Sequence, residues 1–410
     1  MNTQKIKPQT LKGFRDFLPS DAIARNYVIG KIKEVFETFG FDPLETPALE
    51  YAETLLGKYG DEADKLLYLF EDRGKRKVGL RYDQTVPLAR VIAQYQNIPK
   101  PFKRYQIQPV WRAENTQKGR FREFMQCDID TVGAGGLYAD AEIITCVLIV
   151  IKYLGFKNTK MLINDRSVFY KMKPKFIIAI DKLAKIGKEG VIKELINKGM
   201  SKNDAEKFIN SFDKKKPTPL IISLFKILKE NGLKEGVNFE FTPTLARGLD
   251  YYTSTIFELS CQDYSAGSIG GGGRYDKLIG QFTNQDISAV GFAFGFDRLL
   301  DAMKQFNLLP NKTTCTKVLV TVFSNELIKK SILIVNELRN NNINTDINLD
   351  IDLRLDKQLK YANKKSIPYV VIIGPEEVVS EKVVLKDMKT GIQLKISKDE
   401  LVNKLLNLKY

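Results

Sequence analysis

The chain contains no histidine at all. That absence removes imidazole as a general base, as a metal ligand and as the partner of a serine nucleophile. Ser-His hydrolases, HExxH proteases and most zinc enzymes are excluded with it. Cysteine is scarce as well: Cys127, Cys146, Cys261 and Cys315 lie far apart with no CxxC pair, so neither a disulfide framework nor a zinc site is expected. No apolar run reaches bilayer length, and the longest, residues 143–153, holds Lys152. The first ten residues are polar and lack the apolar stretch of a secretory signal, so a cytoplasmic chain with no membrane partner is expected. Any catalysis must run on carboxylates, arginine, lysine, tyrosine, the backbone or a bound ion.

What is present is length and positive charge. At 410 residues the chain exceeds one ordinary core, which predicts two or three domains. Hydrophobic residues at 43% and charged residues at 28% describe a globular protein. The net charge of +15 suits a polyanionic partner, because lysine and arginine neutralise phosphates and steer encounter with nucleic acid. An AT-rich genome, which favours lysine codons, would give the same excess without any partner.

The pattern along the chain divides it further. Apolar residues at Ile23, Tyr27, Val28, Ile32, Val35, Phe36 and Phe39 predict a helix over 22–39, ended by Gly40. An extended segment holding Pro43 and Pro47 follows, which places it at a sheet edge or interface. Residues 78–80, 104–111 and 124–132 read as strands around a charged loop at 112–122, and 140–154 as an apolar helix. Lysine-rich helical segments fill 161–235 and read as an inserted helical module. Strand character returns at 238–241, 256–259, 269–275 and 290–296, completing a core made of 1–160 and 236–310. Residues 314–410 alternate strands and helices, as an α/β domain of ordinary size does.

Four clusters carry chemistry. In Val110-Trp111-Arg112-Ala113-Glu114, strand alternation would put Arg112 and Glu114 on one face, an arginine fork for phosphate beside a carboxylate. A surface hairpin with ordinary ion pairs fits that spacing equally well. In Arg247-Gly248-Leu249-Asp250-Tyr251-Tyr252, adjacent tyrosines on a strand would face opposite sides, and a core aromatic pair is the simpler reading of the segment alone. Gly270 to Gly273, followed by Arg274-Tyr275-Asp276, allow close backbone approach but form no GxxxxGK[ST] phosphate loop. In the stretch from Gly291 to Asp297-Arg298, an arginine heads a helix against the helix dipole, which calls for an anion, either a ligand or Asp297.

Taken in order, these segments resemble the class II aminoacyl-tRNA synthetases, and specifically the histidyl-tRNA synthetase family, with some features of its eukaryotic-type branch. The likeness runs from Lys12-Gly13-Phe14-Arg15-Asp16 into the terminal domain. Residues 20–47 resemble class motif 1 of the dimer interface, Arg112–Glu114 with its loop motif 2, and 291–298 motif 3. Arg247–Tyr252 and 270–275 resemble the two histidine-specific motifs, of which RGLDYY is the most specific.

The resemblance implies an α+β fold: an antiparallel sheet of the class II type with a helical insertion, followed by an α/β anticodon-binding domain. It implies ATP with Mg²⁺, L-histidine and tRNA(His) as ligands, and a homodimer. Arg112 would grip the α-phosphate with Arg247 opposite it, Glu114 would contact adenine, and Arg298 and Arg120 would hold the other phosphates. Asp83, Thr85 and Gln126 would bind the amino and carboxylate groups of histidine, with Asp130, Tyr251 and Tyr252 about its ring. Gln117 and Lys118 would approach the tRNA acceptor end. Asp83 and Asp130 stand where glutamate is frequent in bacterial members, and Asn115-Thr116 replaces the usual Arg-Pro.

Overall fold

The computed structural model describes residues 6–56, 66–115, 121–247, 251–264 and 267–408, without the side chains of Ala184 and Lys185. The chain divides into two compact units. Residues up to Asp16 join Val28–Leu309 in the first, and Phe17–Tyr27 join the stretch from Pro310 onward in the second.

The first unit is built on an eight-stranded sheet. Its strands run in the spatial order Asp42–Pro43, Phe102–Trp111, Glu123–Val132, Ala289–Gly295, Gly270–Arg274, Thr255–Cys261, Thr159–Asp165 and Phe239–Phe241. The six central strands are antiparallel, and one short parallel strand closes each edge. Pro43 thus falls on an edge strand, as its missing N–H requires, and Pro47 lies beyond it outside any strand.

Period-two alternation splits this sheet into an apolar and a polar face. Tyr105, Cys127, Ile129, Val290, Phe292, Phe294, Phe257 and Leu259 point to one side. There they pack against Val28, Ile32 and Phe36 of the helix Pro19–Thr38 and against the helix Leu137–Tyr153. Each fully buried side chain of this kind contributes roughly 1.5–3 kcal/mol relative to exposure, so this layer fixes the sheet and leaves the opposite face for other purposes. The expected helices and strands of this core are present with ends shifted by a few residues.

A second, three-stranded antiparallel sheet has the order Leu49–Tyr51, Lys77–Leu80, Tyr68–Glu71. The helix Thr85–Gln94 follows it. Periodicity does not announce this helix, although Val86, Leu88, Ala89, Val91 and Ile92 are all buried in it and Thr85, a residue of the expected pocket, begins it. The lysine-rich stretch holds helices Pro174–Ile180, Leu183–Asn197, Lys202–Phe212 and Pro219–Glu230, but it does not begin at 161. Residues 161–165 belong to the strand Thr159–Asp165 of the large sheet, and Pro219–Glu230 packs Ile221, Leu224, Phe225 and Leu228 into that sheet's core.

The second unit holds a five-stranded sheet ordered Thr345–Ile347, Val318–Val320, Tyr369–Ile372, Lys382–Asp387, Gln393–Ser397. The first three strands are parallel, and the last two form an antiparallel hairpin absent from the sequence reading. Asp387 accepts from the backbone N–H groups of Lys389 and Thr390, and Gly391 takes φ 79°, so the turn is carried by residues suited to it. Among the described residues no helix is long and apolar enough to cross a membrane.

Candidate active site on the polar face of the large sheet

Register brings the polar positions into rows. Arg104 faces Asp130, Gln106 faces Asp128 and Gln108 faces Gln126 across one strand pair. On the next strand the same rows continue as Gly291, Ala293 and Gly295. Beyond it stand Gly273 and Gly271, and then Ile256 and Glu258. The face therefore descends from charged and amide side chains to a floor of glycine.

That floor is shaped by what lies on it. A Cβ at Gly271 would collide with the Arg247 guanidinium, and one at Gly273 would come 2.8 Å from the Tyr252 ring. A Cβ at Gly291 would strike the Asp130 carboxylate. Gly270 and Gly272 serve the apolar face, where a Cβ would meet the rings of Phe292 and Phe257 at 2.7 Å. The glycine run thus makes room for neighbouring side chains on both sides of the sheet.

Arg247 is anchored by Nη1 to Glu258 Oε2 at 3.0 Å, while its buried Nε has no partner among the described residues. Arg112 donates from Nε to the Tyr82 carbonyl at 3.0 Å, and its guanidinium lies 5.1 Å from the Phe124 ring. The strand ends at Trp111, so Arg112 and Glu114 lie beyond it and strand alternation does not place them. The Arg112 and Arg104 charges oppose the effect of burial on Asp83, and burial raises the Tyr251 hydroxyl well above its ordinary value, so the tyrosine beside Tyr252 is a neutral hydrogen-bonding group.

Asp83 is 5% exposed, and Oδ1 accepts from Val86 N–H at 3.2 Å where the helix Thr85–Gln94 begins. Burial raises its pKa to about 6, against the opposing pull of that hydrogen bond and of Arg112 and Arg104. Thr85 is buried as the first residue of the same helix. Gln126 is buried, and its Oε1 has no partner among the described residues. Orphaned buried acceptors are uncommon and mark a place for a ligand donor.

Asp130 is more occupied than its motif suggests. Arg104 Nη2 holds its Oδ2 at 2.7 Å, with side-chain exposures of 0% and 4%, and Tyr275 donates its hydroxyl to Oδ1. Burial raises the Asp130 pKa, opposed by Arg104 and Tyr275. Asp128, on the same face, is also raised, chiefly by burial. Arg104 was not singled out from sequence, and Tyr275 stood in the glycine-rich cluster without a role of its own. The available signal was polar alternation at 104, 106, 108 and at 126, 128, 130 within otherwise apolar strands.

Tyr251 and Tyr252 do not face opposite sides. Their rings are 4.5 Å apart and their hydroxyls 3.4 Å apart, because this segment is a turn and not a strand. Arg298 lies in the helix Phe296–Gln305 and donates from Nη1 to the Ser268 carbonyl at 3.2 Å. Asp297 is paired with Arg15 at 3.0 Å. Glu114 offers its carbonyl to Arg122 Nε at 3.1 Å. Gln117, Lys118, Arg120 and Gly248–Asp250 lie outside the described residues.

An antiparallel sheet with one apolar face and a polar, glycine-floored face carrying Arg247 is the fold of a class II aminoacyl-tRNA synthetase core. Comparison with known proteins narrows the class. The Histidyl-tRNA synthetase family model matches residues 13–186 and 205–299, and the Anticodon binding domain model matches 317–408. The chain belongs to the histidyl-tRNA synthetase family. It is 37% identical to a histidine–tRNA ligase from Cytophaga hutchinsonii over 98% of this chain and 100% of that one. It is 38% identical to that of Clostridium tetani, over 99% and 100% respectively. The crystal structure of histidyl-tRNA synthetase from Nostoc sp. PCC 7120 superposes with TM-score 0.83 at 30% identity, covering 98% of this chain and 99% of that one.

Proposed function

We propose that the polar face of the large sheet activates histidine with ATP and transfers it to the 3′ end of tRNA(His), releasing pyrophosphate and AMP. The observation that carries this is the seating of the Arg247 guanidinium over Gly271, tied to Glu258, on the same polar face that carries the orphaned Gln126 Oε1. ATP would enter as its Mg²⁺ complex, the ion supplying charge neutralisation at the phosphate oxygens beside the arginines.

In the first step the substrate carboxylate attacks the α-phosphorus, an O–P bond forms, and the bond to the β-phosphate oxygen breaks. No proton moves, so a chain without histidine meets no obstacle. Arg112 and Arg247 stabilise charge spreading over the phosphate oxygens, and their anchors at the Tyr82 carbonyl and Glu258 hold them without reorganisation. Glu114 contacts adenine, and Arg298 and Arg120 hold the outer phosphates. In the second step the ribose hydroxyl of tRNA attacks the acyl carbon. A phosphate oxygen of the adenylate takes its proton, and AMP leaves.

Asp83, Thr85 and Gln126 receive the amino and carboxylate groups, with the orphaned Gln126 Oε1 suited to the ammonium. Asp130, fixed by Arg104 and Tyr275, lies with Tyr251 and Tyr252 about the imidazole. A site that pairs both ring nitrogens rejects apolar analogues, since its own polar groups would be left unpaired. Gln117 and Lys118 approach the acceptor end, the inserted helices of 161–235 clamp the acceptor stem, and the terminal unit reads the anticodon. One face of the three-stranded sheet exposes Leu49, Tyr51 and Phe70, an apolar surface suited to a second copy in a cytoplasmic homodimer.

Pyrophosphate exchange measured with each amino acid in turn tests this reading. Only histidine should support exchange, and Arg112→Ala should lower it by about 10²–10³ without changing the melting temperature. Comparable exchange with another amino acid, or an undiminished Arg112→Ala enzyme, rules it out.

A further inference from the structure

The segment Lys12-Gly13-Phe14-Arg15-Asp16 has no part in the chemistry above. In the structure it lies against the returning arm of the motif 2 loop. The Gly13 carbonyl accepts from Arg122 N–H at 2.9 Å and from Glu123 N–H at 3.4 Å, where that arm enters the strand Glu123–Val132. Arg122 closes the loop onto its outgoing arm, accepting from Arg112 N–H at 2.8 Å and donating to the Glu114 carbonyl at 3.1 Å. The Arg15 guanidinium lies 3.2 Å over the ring of Phe121, and its Nη2 lies 3.0 Å from Asp297 Oδ2.

We propose that Arg15 is a positioning residue for ATP: it ties the returning arm of the motif 2 loop to the head of the motif 3 helix, setting the separation between Arg112–Glu114 and Arg298. This rests on the reading of those residues as ATP contacts. The tie depends on guanidinium shape, since a planar cation offers its face to a ring and its edge to a carboxylate at once, which an ammonium does not. It depends on place as well. Asp297 stands in the first turn of the helix Phe296–Gln305, immediately before Arg298. An uncompensated carboxylate there would repel a triphosphate and compete for Arg298. The Arg15 and Asp297 side chains are 28% and 10% exposed, so water screens the pair only in part.

Histidine-dependent pyrophosphate exchange tests the proposal, with ATP and histidine varied separately. Arg15→Ala should raise the KM for ATP about tenfold, the scale of a lost stacked cation and its ion pair, and leave the KM for histidine within about twofold. Arg15→Lys, which keeps charge and loses the planar face, should fall between; it also carries the test alone if Arg15→Ala fails to fold. Adding Asp297→Asn to Arg15→Ala should recover part of the ATP affinity. Unchanged KM for ATP in both single variants, an equal rise for both substrates, or no recovery in the double variant would overturn the proposal. Arg112→Ala and Arg298→Ala, run in parallel, separate the two failures. If they abolish exchange while Arg15 variants match the parent enzyme, only the tie is wrong. If they too match the parent, the ATP site itself is misread.

Discussion

The two large sheets of this chain use their faces differently. In the terminal unit Val318 and Val320 pack into one apolar cluster and Leu319 into another, and Tyr369 and Val371 oppose Val370 in the same way. Both faces are spent on packing. In the catalytic sheet only one face is apolar, and the other carries Arg104, Gln106, Gln126, Asp128 and Asp130 beside a floor of glycine. Buried carboxylates and unfilled floor cost stability, which a two-faced apolar sheet avoids. Chemistry therefore resides where the sheet departs from good packing.

Substitution of Asp83 should show that trade-off most strongly. If Asp83 meets the substrate ammonium as proposed, Asp83→Asn should lower kcat/KM for histidine about 10²-fold with little change in the KM for ATP. Stability should move the other way. Because burial raises the folded-state pKa to about 6, the folded protein binds this proton more tightly than the unfolded chain does. The ionised group therefore weakens folding above pH 6, and the penalty fades as pH falls through 6 toward the usual carboxylate range. Without substrates, Asp83→Asn should gain about 2 kcal/mol at pH 8 and nearly nothing at pH 4, read from denaturant melts. A variant less stable at both pH values would show that Asp83 is structural.

Gly271→Ala tests the floor with one methyl group. The new Cβ would displace the Arg247 guanidinium from its seat. Overpacking costs about 1–3 kcal/mol, so exchange should drop about tenfold or somewhat more, with kcat affected at least as much as KM. A fully active variant would mean that Arg247 need not rest where the structure places it.

Much of this was legible from residues alone. Arg112, Arg247 and Arg298 each stand in a segment that also admits an ordinary structural reading, and their expected roles came from the order of the segments together, through the resemblance to the family's motifs. Strand alternation carried the core strands, whose apolar face obeys a period of two. It failed at Tyr251 and Tyr252, where the segment is a turn, and beyond Trp111, where the strand has ended. The helix Thr85–Gln94 escaped because Pro87 and the preceding pocket residues masked a short helical stripe. Arg104 and the role of Tyr275 escaped for a different reason. Their meaning lies in cross-strand register, which sets Arg104 opposite Asp130 and brings Tyr275 from 145 residues away. No single strand displays that.

The smallest effect on adenylate chemistry should come from the sheet that is packed on both faces. Leu319 is fully buried with Ala362, Ile367 and Val370. Leu319→Ala leaves a cavity there, and such truncations cost about 2–5 kcal/mol. The melting transition of the terminal unit should fall accordingly. Pyrophosphate exchange involves only histidine, ATP and the catalytic sheet, and should stay within about twofold of the parent enzyme at a temperature where both units are folded. Aminoacylation needs tRNA held by the terminal unit, so its KM for tRNA should rise as that unit loosens. If exchange falls in step with aminoacylation, the packed sheet supports the chemistry directly and the division of labour between the two sheets is wrong. If neither activity changes while the melt shifts, the terminal sheet tolerates loss of packing without loss of its surface, and tRNA recognition must rest on residues outside that core.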